Sequence, residues 1–73
     1  MEWHSTRARE ELLLALRGAV RVEVRGPSGA VRRRLLKAGQ CAWLPARTLH
    51  RVINRGTRRA HYLYVTAPAD APR

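Results

Sequence analysis

Gly39-Gln40-Cys41-Ala42-Trp43-Leu44-Pro45-Ala46-Arg47-Thr48-Leu49-His50-Arg51-Val52-Ile53-Asn54 is the stretch on which the fold can be read. A glycine opens it, and a proline, a histidine and an asparagine follow at the spacing G-x5-P-x4-H-x3-N. Physically this is a pair of strands set between breaks. Ala38-Gly39 supplies a turn, and residues 40–44 form a short apolar strand. Pro45 ends it, because proline has no N–H to give a ladder. The chain re-enters as a strand over residues 49–54, in which His50, Val52 and Asn54 share a face.

Outward from this stretch the dominant period is two. In Ala19-Val20-Arg21-Val22-Glu23-Val24-Arg25 the valines alternate with polar residues. That predicts a half-buried strand with one wet face, carrying Arg21 and Arg25. Gly26-Pro27-Ser28-Gly29 is a turn signal that joins it to residues 30–37 as a hairpin. Arg32-Arg33-Arg34 in the return strand puts at least one arginine on the wrong side of a simple alternation. Residues 10–16 contain good helix formers. They are short for a helix, however, and Arg17-Gly18 reads as a tight turn into the valine strand, so a strand is expected here too. One of its faces carries Glu11, Leu13 and Ala15, the other Leu12, Leu14 and Leu16. Apolar character on both faces implies cover on both, from a second sheet or a partner subunit. Arg55-Gly56-Thr57 turns the chain into a last strand over residues 59–66, rich in β-formers. The domain is expected to span residues 1–67, with 68–73 a disordered tail. Six or seven short strands at this spacing predict an all-β sandwich or barrel.

The stretch from Gly39 to Asn54 resembles the second conserved motif of the cupin family, whose histidine is a metal ligand inside a small β-barrel. Upstream, His4, Glu11 and Gly18 stand where the first cupin motif, G-x5-H-x-H-x3/4-E-x6-G, has its first histidine, its carboxylate and its closing glycine. The matching set, in order, is His4, Glu11, Gly18, Gly39, Pro45, His50 and Asn54, and the resemblance covers residues 4–66. Thr6 occupies the place of the second histidine, and Arg47 a place where the family usually has glycine. The glycine that opens the first motif has no counterpart, so the chain is expected to start inside that motif. The resemblance implies a double-stranded β-helix of jelly-roll type, N-terminally short. Its open edge would be covered by a second copy in a homodimer.

The resemblance also implies a metal site of His4, Glu11 and His50 directed into the barrel lumen. Two imidazoles and a carboxylate suit a first-row divalent transition ion such as Fe, Mn, Ni or Zn. Thr6, whose neutral hydroxyl is a weak ligand, would hydrogen-bond a metal-bound water or a substrate. Arg47, near the barrel mouth, would grip a carboxylate or phosphate. Plainer roles exist for the same residues: a frayed His4 near the start, a surface Glu11 beside Glu10, a solvated loop arginine at 47.

Composition bounds the rest. The chain has 73 residues and a formal net charge of +10, carried by fourteen arginines and one lysine against five acids. That is one domain, marginal alone at this size. Its lone Cys41 allows no internal disulfide, which leaves a metal or a partner subunit as the staple. The single thiol fits a reducing cytoplasm. No apolar run reaches a membrane span, and the basic-then-apolar layout of a signal peptide is missing. The charge fits a polyanion binder, but the favoured reading is the arginine- and alanine-rich coding bias of a GC-rich genome. Two Trp, two Tyr and no Phe are few for a stacking platform, although Tyr62 and Tyr64 share a face. Trp43 and Cys41 are expected in the core, and His61 at the surface. Neither a Ser-His-Asp set, a CxxC pair nor a phosphate-cradling glycine loop is present, so no catalytic residue is assigned. The function implied is a metal-binding cupin, compatible with a dioxygenase, isomerase or lyase acting on a small anionic metabolite. The alternative is a non-catalytic ligand-sensing or metal-holding module. A basic nucleic-acid-binding β-domain is the third reading.

Overall fold

The computed structural model describes residues 3–54 and 60–69. Among these the chain forms seven strands and no helix: β1 (His4–Ser5), β2 (Arg9–Arg17), β3 (Ala19–Arg25), β4 (Val31–Lys37), β5 (Cys41–Leu44), β6 (Leu49–Ile53) and β7 (His61–Pro68). They build a four-stranded sheet in the order β1-β6-β3-β4 and a three-stranded sheet in the order β5-β2-β7. All neighbours are antiparallel. This is the all-β, two-sheet jelly-roll architecture expected.

The core follows from alternation. Val20 and Val22 of β3, Leu36 of β4 and Val52 of β6 point at Leu13 and Ala15 of β2 and Leu44 of β5, and all seven are buried. Each large aliphatic side chain so buried contributes roughly 1.5–3 kcal/mol. β3 and β4 pair from Ala19 with Lys37 to Arg25 with Val31, as the hairpin reading requires. Its turn is closed by Gly26 N–H donating to Ala30 O (2.9 Å) and Gly29 N–H to Gly26 O (3.0 Å). Gly29 takes φ 88°, a backbone region that costs glycine little.

Several expectations change. Arg17-Gly18 is not a hairpin turn. β2 pairs with β5 and β7, and β3 belongs to the other sheet. Gly18, at φ 73°, is the corner where the chain changes sheet, and its carbonyl accepts from Ala38 N–H (3.1 Å). The last strand runs on through Pro68, and Ala69 N–H donates to Ala8 O (3.0 Å), so the start of the expected tail is held to the sheet. The turn read at Arg55-Gly56-Thr57 lies outside the described residues, as do residues 70–73.

Two expected core residues are on the surface. Trp43 is 57% exposed, and Cys41 is exposed as a free thiol. Both sit on the outer side of the three-stranded sheet, in register with Leu12 and Leu14. Conversely Glu23, a polar residue alternating with the valines of β3, is fully buried. It faces outward from the central strand β3, directly between Arg33 on β4 and Arg51 on β6. Arg33 Nε donates to its Oε2 (2.7 Å) and Arg51 Nε to its Oε1, so two guanidinium groups roof the carboxylate. Trp3 lies across this face, with Arg25 and Arg51 each 4.5 Å from its ring centroid.

Candidate functional site

Strand β1 is only two residues long, yet its register places the first candidate residue. His4 pairs with His50 on β6, so the two side chains rise on the same face. His50 in turn pairs with Val24 on β3. Glu11 comes from the opposite sheet, on the inner face of β2 that also carries Leu13 and Ala15. The fold therefore brings His4, Glu11 and His50 to one pocket of about 290 Å³, with Leu13, Val52, Tyr62 and Tyr64.

His50 is the fixed point. It is 1% exposed, and its Nδ1 lies 3.2 Å from the carbonyl of Thr48. Nε2 faces Glu11 Oε2 at 3.1 Å. Both neighbours of the ring only accept, the Thr48 carbonyl at Nδ1 and the Glu11 carboxylate at Nε2, so which nitrogen holds the proton of a neutral ring depends on the tautomer. A neutral ring can donate to only one of these two acceptors, and the other gap then needs a proton or another cation. The side chain of Glu11 is 13% exposed and opens toward the pocket mouth. The rings of His4 and His50 meet in a T-shape with centroids 4.5 Å apart, His4 being on the exposed rim. Among the described residues no group of three or more His, Cys, Asp or Glu is arranged so that it could hold a metal ion.

The two further candidates are placed elsewhere. Thr6 is buried, and its hydroxyl donates to Pro45 O (2.8 Å) while accepting from Thr48 N–H (3.0 Å). It clasps the end of β1 to the β5–β6 loop and does not line the pocket. Arg47 lines a separate cavity on the other side of the interior. Its left-handed backbone, φ 56°, and its N–H bond to Arg7 O (2.7 Å) carry it away from His50, although only two residues separate them in the chain. Tyr62 and Tyr64, which flank the pocket, were legible only as two tyrosines on one face of the last strand.

A family model described as Cupin domain matches residues 1–66. The chain belongs to the cupin family. No curated protein matches it. In this cupin the inward histidine of the second motif and the carboxylate of the first motif are in direct contact, and they come from different sheets. Among the described residues no helix is long and apolar enough to cross a membrane.

Proposed function

We propose that this cupin binds one divalent transition-metal ion through His50, Glu11 and His4, in the pocket between the two sheets. The observation that carries the reading is the pair His50 Nε2 and Glu11 Oε2, 3.1 Å apart, with the other imidazole nitrogen 3.2 Å from Thr48 O. Two neighbouring ligands on one ion, each bonded at about 2.1 Å near a right angle, stand at that separation. The Thr48 carbonyl plays the part of the outer partner that fixes a ligand histidine's tautomer and orientation. His4, on the exposed rim, completes the set by turning its ring. Two imidazoles and a carboxylate fit Fe, Mn, Ni or Zn, and fit the oxygen-seeking Ca and Mg poorly.

The bound ion would polarise an oxygen atom of a small anionic metabolite or hold it beside a second small ligand. The chain's own contribution is shape and dryness. Leu13 and Val52 form the apolar base, and Tyr62 and Tyr64 offer hydroxyl groups at the wall. Dioxygenase, isomerase and lyase chemistry all fit such a site. A non-catalytic, ligand-sensing role is favoured by one observation: the Thr6 hydroxyl is spent on Pro45 and Thr48, leaving the tyrosines as the remaining neutral polar side chains at the pocket. A homodimer belongs to this reading, through the outer face of β5-β2-β7. The free thiol of Cys41 suits a cytoplasmic setting.

Elemental analysis of untagged protein, beside His50→Ala and Glu11→Ala, tests the metal. About one transition-metal ion per chain is expected in the wild type and a loss of at least tenfold in each variant. A wild type that stays metal-free after reconstitution with Fe(II), Mn, Ni and Zn sinks the proposal.

A further inference from the structure

The interior has a second opening, which shares no lining residue with the histidine pocket. It arises from the sheet orders. β4 is an edge of one sheet and β5 an edge of the other, and residues of both line a cavity of about 770 Å³. Its apolar floor includes Val22, Val24, Ala42 and Leu44. Its rim carries Arg32, Arg34 and Arg47.

The register explains how the arginines come to be there. Arg32 stands opposite Val24 and Arg34 opposite Val22, and Val22 is a core residue, so both arginines share the inward face of their strand. Arg33, between them, turns outward to Glu23. Arg47 reaches the same opening from the β5–β6 loop, held in left-handed backbone by its bond to Arg7 O. A charge pointing inward on an edge strand can serve merely to discourage pairing with another chain. That role does not call for a third arginine from a separate element, fixed in a conformation that non-glycine residues rarely adopt. Among the described residues Glu23 is paired with Arg33 and Arg51, and Glu11 with His50. None of Arg32, Arg34 and Arg47 is in such a pair.

We propose that this cavity is a binding site for a small amphipathic anion, an apolar body bearing one carboxylate. The apolar body would lie on Val22, Val24, Ala42 and Leu44. The carboxylate would be taken at the rim by guanidinium groups, whose planar fork matches it. The volume lies in the range of sites for small organic ligands, and an apolar floor with a few convergent polar groups is their usual make-up. This site does not rest on the metal reading.

Octanoate, 1-octanol and acetate are the probes, titrated by calorimetry into wild-type protein and into the double variant Arg34→Ala/Arg47→Ala. Octanoate is expected to saturate at one per chain. Octanol and acetate should each bind at least tenfold more weakly, since one lacks the charge and the other the body. The double variant should lose at least tenfold in octanoate affinity while keeping the wild-type metal content. Arg32→Ala, at the exposed edge, gives an independent loss if the double variant does not fold. Lack of saturable octanoate binding overturns the proposal, as does equal affinity for octanol or unchanged affinity in the folded arginine variants. None of those outcomes bears on the metal, which is read by elemental analysis.

Discussion

The outer faces of the two sheets obey the same alternation and end in opposite surfaces. On the four-stranded sheet the outward residues include Arg21, Glu23, Arg25, Arg33 and Arg51, with Trp3 laid over two of the arginines. On the three-stranded sheet they are Leu12, Leu14 and Leu16 of β2, Cys41 and Trp43 of β5, and Leu63 and Val65 of β7. Register makes rows of them: Trp43, Leu12 and Val65 stand in one, and Cys41, Leu14 and Leu63 in the next. Leu12, Leu16, Trp43, Leu63 and Val65 are all more than 40% exposed. A contiguous apolar patch of this kind marks an interaction surface. One sheet mixes ion-paired and charged residues with Leu35, Leu49 and Ile53 on its outward face; the other presents an uninterrupted apolar face suited to a second copy. A run of apolar outward residues, as Leu12, Leu14 and Leu16 in β2, is the sign that separates them.

The largest effect is expected from breaking the apolar face. Leu14→Glu sets a charge at its centre, where association would leave it desolvated and unpaired. The wild type should sediment as a dimer at micromolar concentration. The variant should dissociate at least about 100-fold more readily, or about 2.7 kcal/mol. A monomeric wild type would remove the contrast between the faces.

Glu23 sharpens the comparison from the other side. Hydrogen bonding from Arg51, opposed by burial and assisted by Arg33, holds its carboxyl below the ordinary value. A depressed folded pKa means that the unfolded chain takes up the proton at higher pH. The stabilisation is therefore complete above the unfolded pKa, about 4.5, and is lost as pH falls through the lower folded value. Thermal melts of wild type and Glu23→Gln should differ most above that pH and converge in acid. Parallel curves across the whole range would mean that the roofing arginines leave the carboxyl unperturbed.

Arg21 supplies the smallest effect. It shares the charged face, opposite Leu35 and Ile53, and takes no part in the Glu23 cluster. Arg21→Ala should change stability by no more than about 0.5 kcal/mol in denaturant unfolding. A larger loss would show that the charged face works as one network.

Much of the fold was legible before the structure. Alternating valines placed the inner face of β3, Gly26-Pro27-Ser28-Gly29 placed the hairpin, and the family resemblance directed His4, Glu11 and His50 into one lumen, where they line one pocket. What escaped was information held by cross-strand neighbours. Glu23 is buried because arginines flank it on both adjoining strands, and a single strand's pattern carries no trace of its neighbours. Trp43 looked like core because it is large and apolar, yet its strand position points it to the outer row. Arg47 lies close to His50 in sequence and opens onto a different cavity, because loop dihedrals decide direction there. Gly18 was read correctly as a break and wrongly as a hairpin, since local pattern does not say which sheet the next strand joins.

The pairing of β2 with β7 also bears on how the protein is made. Leu12 meets Val65, and Arg9 meets Pro68, across nearly the full length of the described chain. β2 is made well before β7, so one of its edges stays unpaired until β7 has been made. All-β topologies dominated by such distant pairings fold in roughly milliseconds to seconds. For that interval the nascent chain presents an apolar strand edge to its surroundings, the condition under which chaperone capture competes with folding.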